Sequence, residues 1–96
     1  MNFYYRAAPV IISEDGSIET RPYLRNGDYI TKSRKFAKDH AETTSIYLEE
    51  DYGVYYFFLE DAEAEPASNP GEYKYVQIKK IPKQARLSGY YKYNER

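Results

Sequence analysis

The chain has 96 residues, a formal net charge of −1 and no cysteine, which excludes a disulfide framework, a thiolate metal site and a cysteine nucleophile. That length predicts one domain over 1–96, with 82–96 as a flexible or docking tail. Small secreted domains generally need staples, so their absence points to a cytoplasmic protein. The longest apolar run, Val54 to Leu59, is too short to span a bilayer, and Arg6 and Pro9 interrupt the stretch from Met1 to Ile12, so neither a signal peptide nor a membrane partner is expected.

Charge is unevenly distributed. Residues 49–72 hold eight acids and no base, whereas residues 73–96 hold seven bases and one acid. The two stretches either pair within the fold or form separate patches of opposite sign.

In chain order, Phe3-Tyr4-Tyr5 and Val10-Ile11-Ile12 favour strand, and Asp15-Gly16 marks a hairpin turn returning through Ser17 to Leu24. Ile11 and Ile18 share one face in strict alternation while Val10 and Ile12 take the other, so the register is unsettled. Asn26-Gly27-Asp28 is the next turn. The period then becomes helical: Phe36, Ala37, His40, Ala41 and Thr44 fall on one stripe. Bases precede acids along that helix, the reverse of what its macrodipole favours.

A second hairpin is expected from strand Ser45–Glu50, turn Asp51-Tyr52-Gly53 and strand Val54–Glu60, the last apolar on both faces and therefore central. A loop over 61–71 leads to a strand from Glu72 to Ile81 with Val76 and Ile78 inward, stopped by Pro82. A final strand through Tyr90-Tyr91-Lys92-Tyr93 or a short helical turn completes the order ββ-α-ββ-β. This predicts an α+β fold: one antiparallel sheet with a single helix packed on one face. So narrow a helical stripe leaves aromatic sheet surface for the tail, a second subunit or a ligand.

The 13 tyrosines are good strand formers that tolerate half-burial, which accounts for most of them. Neighbours on a strand point to opposite faces, so the pairs Tyr4-Tyr5, Tyr55-Tyr56 and Tyr90-Tyr91 put some rings in solvent, where tyrosine is a favoured contact residue.

No glycine-rich phosphate loop, nucleophile elbow or dinucleotide fingerprint is present, and His40, the one histidine, reads as a residue at the edge of the core rather than a base. Neither enzymatic activity nor a cofactor is expected. Asp61, Glu63, Glu65 and Glu72 match acidic positions of a calcium-binding loop, but Pro66 stands where glycine is required; no metal is expected.

A protein-binding module is the leading expectation. Glu49, Glu50, Asp51, Tyr52, Tyr55, Glu60 and Asp61 form the acidic, tyrosine-bearing surface that would meet a larger protein or complex. In size and composition the chain resembles small proteins carried by phages and mobile elements. That resemblance implies an inhibitor of a host enzyme or defence complex acting by steric occlusion. The alternative is nucleic-acid binding through Lys32, Arg34, Lys35, Lys38, Lys79, Lys80, Lys83, Arg86, Tyr90 and Tyr91, which mix phosphate-neutralising bases with rings for stacking. A third expectation is a homodimer or other homo-oligomeric assembly in which an uncovered sheet face pairs with itself.

Overall fold

The computed structural model describes residues 2–17, 23–80 and 83–91. Most of the expected return strand from Ser17 to Leu24, the Pro82 stop and the tail beyond Tyr91 lie outside the described residues. The elements are β1 (Asn2–Pro9), β2 (Tyr29–Thr31), α1 (Arg34–Leu48), β3 (Tyr52–Leu59), β4 (Ala64–Pro66), β5 (Glu72–Tyr75) and β6 (Arg86–Tyr91). A single 3₁₀ turn at Asp61–Glu63 precedes β4. All six strands join one antiparallel sheet in the order β4-β5-β2-β1-β3-β6. The expected α+β class holds.

β3 is an interior strand paired on both sides, with β1 along one edge and the outermost strand β6 along the other. Cross-strand partners share a face. The pairings Phe3↔Phe58, Tyr5↔Tyr56, Ala7↔Val54 and Pro9↔Tyr52 therefore define one face, and Tyr4↔Phe57 and Ala8↔Gly53 define the other.

The helix lies on the first face. Ser33 caps it, its Oγ accepting from the Phe36 amide at 3.1 Å. Its inward stripe is Ala37, Ala41 and Ser45, small residues that let the backbone settle close to Val54, Tyr5, Ala7 and Tyr52. The expected stripe was rotated from this: Phe36 is 61% exposed and His40 is exposed, because alanines rather than the larger ring set the contact.

The expected strand at Ser45–Glu50 is also corrected. The helix runs through it to Leu48 and ends at Glu49, which takes a left-handed φ of 55°, with the Glu50 amide donating to the Ser45 carbonyl at 3.1 Å. Burial of Ala41 and Ser45 overrides the local strand preference of Ile46-Tyr47. The expected strand from Glu72 to Ile81 stops at Tyr75, and Ile78 is half-exposed rather than inward.

The larger core lies on the face opposite α1. Tyr4, Ile30, Tyr55, Phe57, Leu59 and Tyr75 come from the strands, and Val10, Leu24 and Ala85 come from the segments that roof them. Backbone hydrogen bonds hold that roof, from the Val10 amide to the Asp51 carbonyl at 3.0 Å and from the Leu24 amide to the Lys83 carbonyl at 2.9 Å. Among the described residues, no helix is long and apolar enough to cross a membrane.

Candidate functional site

β2 has three residues and meets β1 in register at Tyr5↔Thr31, so Ala8 and Pro9 run past its end. At Tyr29 a side chain substitutes for the sheet ladder: Arg6 Nη1 donates to the Tyr29 carbonyl at 2.8 Å, and its Nη2 lies 4.0 Å from Asp28. The sheet opens here beneath the side of the helix that carries Phe36 and His40. A cleft of about 520 Å³ results.

Tyr5, Ala7, Pro9 and Tyr52 line this cleft from the strands, Tyr29, Thr31 and Glu72 from the β2–β5 side, and Phe36, Ala37 and His40 from the helix. Four aromatic rings therefore converge on it. The Lys74 ammonium lies 5.4 Å from the centre of the Tyr29 ring and holds one edge. Burial raises the Tyr52 hydroxyl pKa above its ordinary 10.0, the nearby Glu50 carboxylate raises it further, and Arg6 offsets part of the rise. Glu50 thus lies close enough to lend one end of the cleft negative charge. Along the same side of α1, Tyr47 stands 84% exposed, flanked by exposed Ile46 and Leu48.

The residues expected to form one acidic surface are divided. Glu49, Glu50 and Asp51 follow the helix at one end of β3, and Glu60 and Asp61 follow its other end. Eight residues of strand separate them, about 26 Å. Tyr55, expected at the contact, is 1% exposed and belongs to the core. Tyr52 lines the cleft, and Asp51 accepts a hydrogen bond from the Tyr90 hydroxyl at 2.7 Å. The acidic middle and the basic end therefore meet in the fold, as they do again where Lys83 approaches the buried Glu63 carboxylate at 3.9 Å.

The basic set is scattered. Lys32 lies 5.2 Å from the Tyr73 ring centre and 5.8 Å from that of Tyr4, rings belonging to the face opposite the helix. Lys35 and Lys38 pair with Asp39 and Glu42 along the helix. Lys79 and Lys80 sit in the loop after β5, their carbonyls accepting from Gln77. Arg34 Nε donates to Ser88 Oγ at 3.0 Å, which ties the start of the helix to the strand that carries Arg86.

The calcium-loop spacing does not converge either. Asp61 accepts from Asn2 at 3.3 Å, while Glu63 turns inward and takes the Glu60 amide at 2.9 Å. His40 hydrogen-bonds to none of the described residues, so no oriented base is assembled among them. Sequence reasoning missed Tyr5, Tyr29 and Phe36 as residues of one cleft. The signal that could have found them was the shortness of any strand between Asp28 and Lys32. No protein-family model, curated protein or solved structure matches the chain.

Proposed function

We propose that the protein is a non-enzymatic binding module that receives an extended segment of a partner protein in the cleft beside α1. The observation that supports this most directly is the convergence of Tyr5, Tyr29, Phe36 and Tyr52 on an open cleft about 520 Å³ in volume. Aromatic-lined grooves of this kind grip extended, proline-containing or aliphatic segments, because rings offer wide contact at little entropic cost. Exposed Tyr47, about three turns along the helix from Phe36, lengthens the apolar rim beyond what a small molecule would use. Arg6 is already engaged by Asp28 and the Tyr29 carbonyl, whereas Glu72 and Glu50 remain at the margins. A segment carrying a basic residue next to its apolar ones fits best.

On this reading the acidic, tyrosine-bearing contact surface expected from sequence contracts to Glu49, Glu50 and Tyr52, joined by rings from β1, β2 and α1. Occlusion of a larger protein's own binding site is the mode of action so small a chain suits. Selection from a random peptide library on immobilised protein tests it. Enriched peptides should combine proline or aliphatic residues with Lys or Arg, and should bind Phe36→Ala and Tyr29→Ala about tenfold more weakly or worse. Enrichment of acidic peptides, or binding indifferent to both substitutions, would sink the proposal.

A further inference from the structure

Helix α1 covers only half of the sheet face on which it lies. Its contacts fall on Tyr5, Ala7, Tyr52 and Val54, and the other half of β1 and β3 is left with Phe3, Tyr56 and Phe58. These three rings touch. Phe3 and Phe58 have centres 4.7 Å apart, and Phe3 and Tyr56 are 5.9 Å apart in an edge-on arrangement. Yet Phe3 is 51% and Phe58 45% exposed. A contiguous aromatic patch on rigid central strands is a surface that a partner covers.

The charges around the rings select the partner. Arg86 stands opposite Tyr56 in the β3–β6 register and forms no ion pair among the described residues. Beside it the helix begins, Arg34 being bound to Ser88 of β6. At the opposite side, where β3 ends after Phe58, stands exposed Glu60, while Asp61 turns to Asn2 at the edge of the other face. The patch is therefore basic along the Tyr56 side and acidic along the Glu60 side, with Phe58 midway along about 13 Å of strand.

A surface of this polarity complements itself. A two-fold axis parallel to the sheet and crossing β3 near Phe58 sets the basic side of one copy on the acidic side of the other. The same operation carries each helix over to the far side of the seam. There the N-terminal turn of α1, which holds Arg34 and Lys35 but no acid, comes next to the other copy's Glu60. Nucleic acid fits less well, because phosphates passing Phe58 would run alongside Glu60.

We infer that this half-face is the interface of a homodimer, in which a second copy of the chain seats its own Phe3, Tyr56 and Phe58 against the same rings. The inference does not depend on the cleft, which lies on the opposite side of α1. It also accounts for the order of charges along the helix, bases first, which helix stability alone disfavours.

Sedimentation equilibrium from micromolar to submillimolar concentration tests it. The wild-type chain should reach the dimer mass. Phe58→Lys should remain monomeric with an unchanged far-ultraviolet spectrum. Arg86→Glu and Glu60→Arg should each weaken association several-fold, and combining the two should restore it. A mutation that merely disturbs folding gives no such rescue. A wild-type monomer throughout, or a dimer unaffected by Phe58→Lys, overturns the inference. So does a monomer that binds single-stranded oligonucleotide in a Phe58-dependent way, which would assign the rings to nucleobases.

Discussion

The two faces of the sheet are built by opposite means. One is covered by a regular helix, yet its contacts are small, Ala37 and Ala41 upon Val54. The other has no α-helix among the described residues, yet irregular segments close it over Tyr55, Phe57, Leu59 and Tyr75, all nearly inaccessible. Stability resides where the cover is irregular, and openness where it is regular. A helix is a straight rod on a twisted sheet and leaves uncovered sheet on either side. Loops carrying Val10, Leu24 and Ala85 mould themselves to the surface beneath.

Substitutions on β3 sharpen that contrast most strongly, because adjacent residues address opposite faces. Removing the Tyr55 ring by Tyr55→Ala should cost about 3–5 kcal/mol, a large part of the stability a domain of this size has. Phe58→Ala, three residues on, loses mainly its contact with the Phe3 ring and should cost no more than about 1.5 kcal/mol at concentrations where the chain is monomeric. Urea denaturation of the two variants reads the difference directly.

Alkali should separate the faces next. Burial raises the hydroxyl pKa of Tyr4, Tyr55 and Tyr75 above 10.0, and the Glu63 carboxylate adds to the rise at Tyr75. Their folded-state pKa exceeds the unfolded one, so the stability they contribute is complete below pH 10.0 and is lost as pH climbs beyond it. Ultraviolet titration should show exposed tyrosinates forming first, then a cooperative step in which the core tyrosines ionise as the far-ultraviolet signal collapses.

A smaller effect is expected at Gly53. A Cβ there would lie 2.7 Å from both Leu87 Cδ1 and Val10 Cγ2, so Gly53→Ala should destabilise by about 1–3 kcal/mol, again measured in urea. On the helix face a change of opposite sign is available. Glu49 holds a φ of 55° that glycine adopts without a Cβ penalty, and Glu49→Gly should raise stability by about 1 kcal/mol.

The smallest effect lies at the Ser13–Ser17 turn. The Ser13 hydroxyl, then the Ser17 hydroxyl and amide, hold the Asp15 carboxyl down to about 2 from 3.8. The order it lends the turn is present above pH 3.8 and fades as pH falls through about 2. Amide chemical shifts of Ser13 and Ser17 should follow that titration and stop doing so in Asp15→Asn.

Much of the architecture was legible because it depends on local chemistry. The aromatic run at Val54–Leu59 marked a strand paired on both sides, and Asp15-Gly16 and Asn26-Gly27 marked turns at which both glycines do take positive φ. The end of the helix was not legible. Ile46-Tyr47 favours strand locally, and only the docking of Ala41 and Ser45 decides otherwise. The candidate site was less legible still. Tyr55 and Tyr56 are equivalent as letters, and their opposite fates follow from the β1–β3 register, which is a long-range property. Acidic residues near one another in sequence were parted because a strand runs between them.

The strand order has a kinetic consequence. β1 finds its neighbours in β2 and in the distant β3, so that Tyr5 pairs with Tyr56, and the outer edge of β3 is closed only by β6. The central ladder therefore cannot zip from a local hairpin. A long loop must close before its pairing is rewarded, which places folding in the slower regime of about milliseconds to seconds. Until then the aromatic run of β3 stands as an unpaired edge, and the race between β1 and another chain for that edge is where this protein is most exposed to misassembly.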